Sequence, residues 1–563
     1  DRQKRFRREN AAGTTQEGKI MKRKAVAAVL TAVMVASMFT GCGSDKGSSS
    51  AKSTSAASAA NDTVDEDGKV NGIMYQEGLP LVDEGAYTFS IFCDDSSESG
   101  EFIMLDEFKK QTNVDVDLKI YPYETATERL NLDLNSGDYA DVIGGWTLSD
   151  NAILTYGVNQ GVFIPLEDYF EKYCPNISAI LDLPGVREKM TAPDGHIYTI
   201  PYVCTDTTVG YSPYINTKWL ENVGMSMPTT TDEFEAVLKA FKEQDANGNG
   251  DASDEIPFST DPNNKHIEAM AGYFGLPMNK LGIAIQNEKV VYGGVSDTYR
   301  EFLSWFHKLY AEGLVDVELY TQDSSTWEGK GNQDLYGVSI AYGSNEFTGI
   351  PAAEERGDFD SMPVLNTDKD GIWLRDTEGF SVYRTQAVIT NKAEHPEIIC
   401  RWFDNAFALE NGIGCNRGPV GVIVNKEDDG YHAIDTTTLS EEDQEKYSWG
   451  NLWPQSLPKY LPVDFEFVEE HPMYDEKKAT EEAYEANLTK EIIPSYWIDL
   501  DKIDTFSDTN TAIKDFFEQQ QAQFVCGELD IDNDADWQAY VDGMYSLGLE
   551  DWVATQGIEE IAK

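Results

Sequence analysis

The sequence predicts an α/β fold with a parallel sheet, on two observations. Strand-like and helix-like stretches alternate where the folded body begins, and further helical patterns run to the C-terminus without a fixed repeat period. Taken in order, 87–93 is rich in β-forming residues, 101–111 has helical spacing, 114–120 is a second strand and 126–134 a second helix. Asp141-Val142-Ile143 forms a third strand ending in Gly144-Gly145-Trp146. Helical patterns follow at 231–244, 297–312, 396–409, 476–488, 509–525 and 536–547. In parallel sheets ligands bind beyond the carboxyl ends of the strands, which points to the loops at 94–100 and 144–150.

Ahead of this body, Met21-Lys22-Arg23-Lys24 opens an uncharged, largely apolar run from 25 to 39. The run falls short of the roughly 20 apolar residues that a spanning helix needs, so it is expected to be a secretory signal. Its end, Phe39-Thr40-Gly41-Cys42, resembles the bacterial lipobox, with Phe39 where that motif usually has leucine. The resemblance implies cleavage before Cys42, a diacylglycerol on its sulfur and stable anchoring at the outer face of the cytoplasmic membrane. Residues 1–20 precede the start methionine and are expected to be absent from the mature protein; Gln16-Glu17-Gly18 can be encoded by codons containing AGGAGG, a ribosome-binding sequence. Residues 42–83 are assigned to a lipidated tether, because the Gly, Ser, Ala, Lys and Asp stretch to about Val70 lacks the large apolar residues a core requires.

Residues 1–41 hold 9 of the 44 basic and 3 of the 99 acidic residues, so the remainder carries a formal charge of −61. Such a surface repels polyphosphates and excludes nucleic acid as a partner. With 11 Trp, 28 Tyr and 25 Phe the chain has the apolar payload of a globular body. Beyond Cys42 the cysteines are 93, 174, 204, 400, 415 and 526; none forms a CxxC pair or a Cys/His cluster, so no zinc site is expected.

A series of short motifs then identifies a family. Ser136-Gly137-Asp138-Tyr139-Ala140-Asp141 resembles the SGD-x-x-D element of sugar-binding lipoproteins of ABC importers. Pro193-Asp194-Gly195-His196-Ile197-Tyr198-Thr199-Ile200-Pro201 resembles their DGK-IY-x-IP hairpin, with His196 replacing the usual lysine. Asn216-Thr217-Lys218-Trp219-Leu220 and Pro228-Thr229-Thr230-Thr231-Asp232-Glu233-Phe234 follow in the family's order. The resemblance covers about Tyr87 to the C-terminus and implies a two-lobe, periplasmic-binding-protein-like (Venus flytrap) fold with the ligand in an interlobe cleft. Lobe 1 is assigned to 84–203 with about 335–390, and lobe 2 to 204–334 with about 391–563. It further implies a monomeric, non-enzymatic solute-binding protein that closes around an oligosaccharide and delivers it to the permease subunits.

Asp245-Ala246-Asn247-Gly248-Asn249-Gly250-Asp251-Ala252-Ser253-Asp254-Glu255 carries the most specific local signal. Oxygen-bearing side chains at positions 1, 3 and 5 and glycine at 6 follow the EF-hand rule, in which alternate oxygens of a tight turn face one hard cation. Position 12 is Ile256, followed by Pro257, which ends the EF-hand pattern. The loop instead resembles the calcium loop of the family branch that includes alginate-oligosaccharide-binding proteins, whose adjacent closing Asp-Glu pair is matched by Asp254 and Glu255. Side-chain ligation of a structural calcium is thereby assigned to Asp245, Asn247, Asn249, Asp254 and Glu255, with the Asp251 carbonyl in addition.

Sugars offer polar rims and apolar C–H faces, so their sites combine aromatic platforms with hydrogen-bonding groups. Trp146, Trp327, Trp449 and Trp453 fall in predicted loops and are candidate platforms, although a half-buried surface aromatic suits Trp146 and Trp453 equally well. Trp219, Trp305 and Trp402 lie on helical patterns with apolar neighbours and are assigned to the core. Tyr202, Asp206 and Arg417 are candidate polar contacts, and Trp146 with Trp453 is expected to supply most of the affinity. The charge favours a neutral sugar, whereas the calcium-loop resemblance points to uronic acids. Two rivals stay open: a secreted glycoside hydrolase, and a peptide or peptidoglycan-fragment receptor of the same fold.

Overall fold

The computed structural model describes residues 62–95, 101–261, 266–349, 358–434, 436–462, 465, 467, 468 and 472–562. The signal-peptide and Cys42 readings fall on 1–61 and lie outside the described residues. The three expected strands form as β1 (Tyr87–Asp94), β2 (Val114–Tyr121) and β3 (Val142–Gly144), and both outer strands pair in parallel with β1. The intervening helices, Ile103–Thr112 and Tyr123–Ser136, stop at Asn113 and Gly137 in left-handed conformation, the two residue types that bear it with least strain.

The strands completing two main sheets are β4 (Thr199–Thr205), β5 (Ser212–Asn216), β6 (Ile256–Thr260), β7 (Tyr336–Ala341), β8 (Phe359–Ser361) and β9 (Phe380–Ile389). The first sheet runs β2-β1-β3-β9-β4 and the second β8-β5-β7-β6. Strand alternation splits the first sheet's packing between two faces. Phe89, Ile91 and Cys93 join a core with Trp402, Phe403 and Trp453, while Phe92 and Ile143 face Leu130, Phe163 and Tyr198. The second sheet buries Ile215, Phe258 and Val338 with Trp219 and Phe306, and with Phe517, Trp537 and Trp552 from the C-terminal helices.

The expected lobe assignment differs from these pairings. The expectation places about 335–390 in the first lobe, yet β7 and β8 belong to the second sheet and only β9 to the first. Residues 391–460 pack on the first lobe through Ile398, Trp402, Phe403 and Leu457 instead of joining the second. Long-range strand order decides this, and an all-buried run such as Tyr336–Ala341 carries no mark of which sheet it enters. The tether boundary also moves. Val70, Met74, Leu81 and Val82 are buried in the first core around a short hairpin, Lys69–Val70 with Met74–Tyr75, and Arg401 donates to the carbonyls of Tyr75 and Gly78. Folded structure is therefore already present at Lys69–Val70, ahead of the boundary expected at 84. A few apolar residues among acids and glycines fall below what composition can detect.

The chain crosses between sheets at 205–212 and returns at 376–380. These crossings extend the β4–β9 ladder: the amide of Asp206 donates to the Gly379 carbonyl (3.1 Å) and that of Asp376 to the Thr208 carbonyl (2.9 Å). Asp376, whose pKa burial pushes up to about 6, accepts from the Gly210 amide at 2.7 Å. Lys477, on helix Pro472–Tyr484, donates to the carbonyls of Gly210 (2.7 Å) and Tyr342 (2.5 Å). The registers bring the carboxyl ends of β1, β2, β3 and β4, and those of β6 and β7, to the edges joined by the crossings.

Candidate ligand cleft

Aromatic rings line both edges. On the first lobe Trp146, 47 % exposed, meets Tyr383 edge-on at 5.3 Å and Tyr202 at 6.3 Å, and the two tyrosines stack at 5.4 Å. On the second lobe His266 stacks on Tyr211 at 3.9 Å with only 13° between planes, and Tyr211 meets Tyr342 at 6.1 Å. Asp206, in the first crossing, joins the two groups. It accepts from Ser381 (2.5 Å) and Tyr383 (3.5 Å) of the first lobe and from Tyr342 (3.4 Å) of the second. The result is a row of six rings with an acceptor at its middle. Burial raises the pKa values of the hydroxyls of Tyr202, Tyr211, Tyr342 and Tyr383, so each stays a neutral donor. Burial also lowers that of His266 to about 4, which leaves its imidazole neutral.

Trp146 owes its position to Asp94, the last residue of β1, which is fully buried. The Asp94 carboxylate accepts from the amides of Trp146 (3.0 Å) and Thr147 (2.6 Å). This requires close approach at Gly145, whose φ is +136° and where a Cβ would lie 2.3 Å from Asp94 Oδ1. Gly145→Ala is expected to destabilise the protein by about 1–3 kcal/mol and to shift Trp146. Denaturant unfolding with wild-type stability would contradict this account of the loop.

The structure sorts the sequence candidates. Trp146, Tyr202 and Asp206 come together in the row. Trp453 does not: it is fully buried, stacked on Trp402 at 5.7 Å and against Phe108 at 5.1 Å, because the loop that carries it folds into the first core. Trp327 is also buried, in a small cluster with Tyr336 and Phe347, on a helix (Ser324–Asn332) where a loop was expected, its Nε1 donating to Ser339. Neither ring can serve as a platform. Trp449 is 54 % exposed on the first lobe. Arg417 ends helix Leu409–Arg417 with its guanidinium over Phe467 at 5.8 Å, outside the row. Tyr211, His266, Tyr342 and Tyr383 escaped the sequence reading. A hollow of about 540 Å³ on the second lobe, among Asn287, Asp370 and Lys490, has no aromatic lining and lacks the platform a sugar needs.

The candidate calcium loop leaves helix Thr231–Glu243 and leads into β6. Gly248 and Gly250 take positive φ, +74° and +95°, as the tight turn requires. Asp245 Oδ2 accepts from the Gly250 amide (3.0 Å) and Glu255 Oε1 from the Ala246 amide (2.9 Å). Asp254 receives both Asn247 (3.2 Å) and Asn249 (2.7 Å) side chains. The other oxygens of two carboxylates, Asp245 Oδ1 and Glu255 Oε2, are buried without a hydrogen-bond partner. Burial and neighbouring Asp254 raise the Glu255 pKa. Orphaned anionic oxygens in a ring of oxygen donors fit a hard cation.

A family model described as bacterial extracellular solute-binding protein matches residues 98–412. The chain belongs to that family. This solute-binding protein is 32 % identical over 379 residues to the fructooligosaccharide ABC transporter substrate-binding protein FusA of Streptococcus pneumoniae, covering 65 % of this chain and 68 % of that protein. The structure of FusA in complex with kestose superposes with a TM-score of 0.73 at 26 % identity, over 83 % of this chain and 98 % of that one. The alginate-binding protein AlgQ2 shares the fold, with a TM-score of 0.68 at 22 % identity over 85 % and 99 % of the two chains. The two-lobe α/β architecture expected from the motif series is thus established. Among the described residues no helix is long and apolar enough to cross a membrane.

Proposed function

We propose that this protein captures a neutral oligosaccharide of the fructooligosaccharide class between its lobes and hands it, chemically unchanged, to the permease of an ABC importer. The observation that carries the reading is the six-ring row bridged by Asp206, which gives a sugar stacking surfaces and hydrogen-bonding groups from both lobes at once. Identity to FusA supports the ligand class, and the absence of net positive charge agrees with a neutral sugar. Ligand held by one lobe recruits the other, and the closed form is what the permease reads. Lipid attachment through Cys42 at the outer face of the cytoplasmic membrane and a monomeric state complete the proposal. Calcium would be held by Asp245, Asn247, Asn249, Asp254, Glu255 and the Asp251 carbonyl, where its charge offsets the crowded carboxylates; a solved form of FusA is an EF-hand mutant.

Calorimetric titration with kestose and nystose is expected to give a Kd of about 1 μM, some −8 kcal/mol, with the sugar recovered intact. Binding of peptides but not of these sugars, or appearance of fructose during incubation, would overturn the reading.

A further inference from the structure

Lys459 is only 3 % exposed, yet among the described residues no carboxylate pairs with it. Its ammonium donates to Gln455 Oε1 at 2.7 Å and lies 5.3 Å from the centroid of the Trp449 ring. Removing an ammonium from water costs several kcal/mol, so a buried and unpaired one calls for a reason. Trp449 is the most exposed tryptophan among the described residues. Gln455 fixes its backbone by donating from Nε2 to the Trp449 carbonyl (2.8 Å), and Gln455 is in turn held by Asp95, whose Oδ2 accepts from the Gln455 amide at 2.7 Å. Asp95 directly follows β1, so this chain of contacts ends at the carboxyl edge of the first sheet, the edge that carries Trp146. An indole held on its inner side by a cation keeps its outer side free for the C–H face of a sugar.

We propose that Lys459 is a positioning residue of the ligand site: through the indole and Gln455 it holds Trp449 as a further stacking platform on the first lobe, beyond the six-ring row. The platform would extend the site to sugars longer than the row accommodates. This inference rests on the reading that the cleft binds oligosaccharide.

The charge state of Lys459 supplies a readout that packing alone does not. Burial lowers its pKa to about 8, and the other groups facing it are Cys204, Cys415, Asp95 and Arg417. Both thiols have pKa values raised by burial, that of Cys204 to about 12. Lys477 at the crossings is also lowered to about 8, but it titrates alike in every variant.

The test is calorimetric titration of the tetrasaccharide nystose into wild type, Lys459→Met, Lys459→Arg and Trp449→Ala at about pH 6.5 and about pH 9.5, with melting curves to confirm folding. At the lower pH, Lys459→Met and Trp449→Ala should each bind about fivefold more weakly, and the double variant no more weakly than either. Lys459→Arg should bind as wild type at the lower pH and hold its affinity at the higher, where wild type loses about fivefold more. Wild-type affinity in Lys459→Met, or the same pH dependence in wild type and Lys459→Arg, overturns the inference alone. Trp449→Ala keeps the test open should Lys459→Met fail to fold: undiminished nystose affinity in that surface variant also overturns it. Nystose binding by none of the forms overturns the fructooligosaccharide reading, and this inference with it.

Discussion

The double substitution Trp146→Ala/Tyr383→Ala is expected to weaken oligosaccharide binding at least about 100-fold while leaving the fold intact. Each ring loses its stacking preference, about 0.5–1.5 kcal/mol, together with the apolar area it covers on the sugar, so two rings account for about 3 kcal/mol. Trp146 is half exposed and Tyr383 half-buried, and together they form one end of the row, meeting at 5.3 Å. Removing both also leaves Tyr202 without the neighbours that hold its ring. Trp453→Ala makes the opposite control. That ring is buried between Trp402 and Phe108, and its loss should cost about 3–5 kcal/mol of stability through the cavity it leaves. Its effect on binding should be no larger than the fraction unfolded explains. Calorimetry beside denaturant unfolding separates the two variants; unchanged affinity in the double substitution would remove the row from the site.

The contrast between Trp146 and Trp453 shows what the sequence could yield. The two eight-residue parallel strands and the long amphipathic helices were legible because each repeats its apolar spacing over many residues, and their bounds agree within six positions. Trp146 could be singled out because it lies two residues past a strand, and in parallel sheets ligands bind beyond the carboxyl ends of the strands. The same rule applied to the second sheet would have selected Tyr342, which directly follows β7, but Tyr336–Ala341 was not recognised as a strand of that sheet. Tyr383 lies within β9, whose pairing with β4 shifts register between Tyr383 and Ala387. Such a bulge re-aims side chains without altering composition. Trp327 and Trp453 misled for the reverse reason: glycine and polar neighbours suggested loops, whereas burial comes from Tyr336 and Phe347 in one case and from Trp402 and Phe108 in the other, contacts that no local pattern displays. The candidate calcium loop could be proposed without tertiary information, since all its candidate ligands lie within eleven consecutive residues.

That loop gives the second large effect, and it should appear as stability. With free calcium about a thousandfold above its Kd, binding to the folded state alone contributes about 4 kcal/mol, and chelation should therefore lower the Tm of so large a body by about 4 °C. Magnesium should restore little of this, because it demands a tighter octahedral shell than a flexible loop of carboxylates and amides provides. Glu255→Gln separates a bound cation from a merely acidic turn by the sign of its effect. Without calcium the substitution removes a carboxylate that is partly desolvated and repelled by Asp254, so the variant should melt at or above wild type. With calcium it lacks a ligand and should melt below. Sugar affinity should stay within about twofold of wild type in both conditions, since the loop enters β6 at Ile256 and the ligand edge lies at the other end, beyond Thr260. Equal melting of wild type with calcium and with chelator would refute the site, and a variant that melts lower in both conditions would reduce Glu255 to a packing residue of the turn.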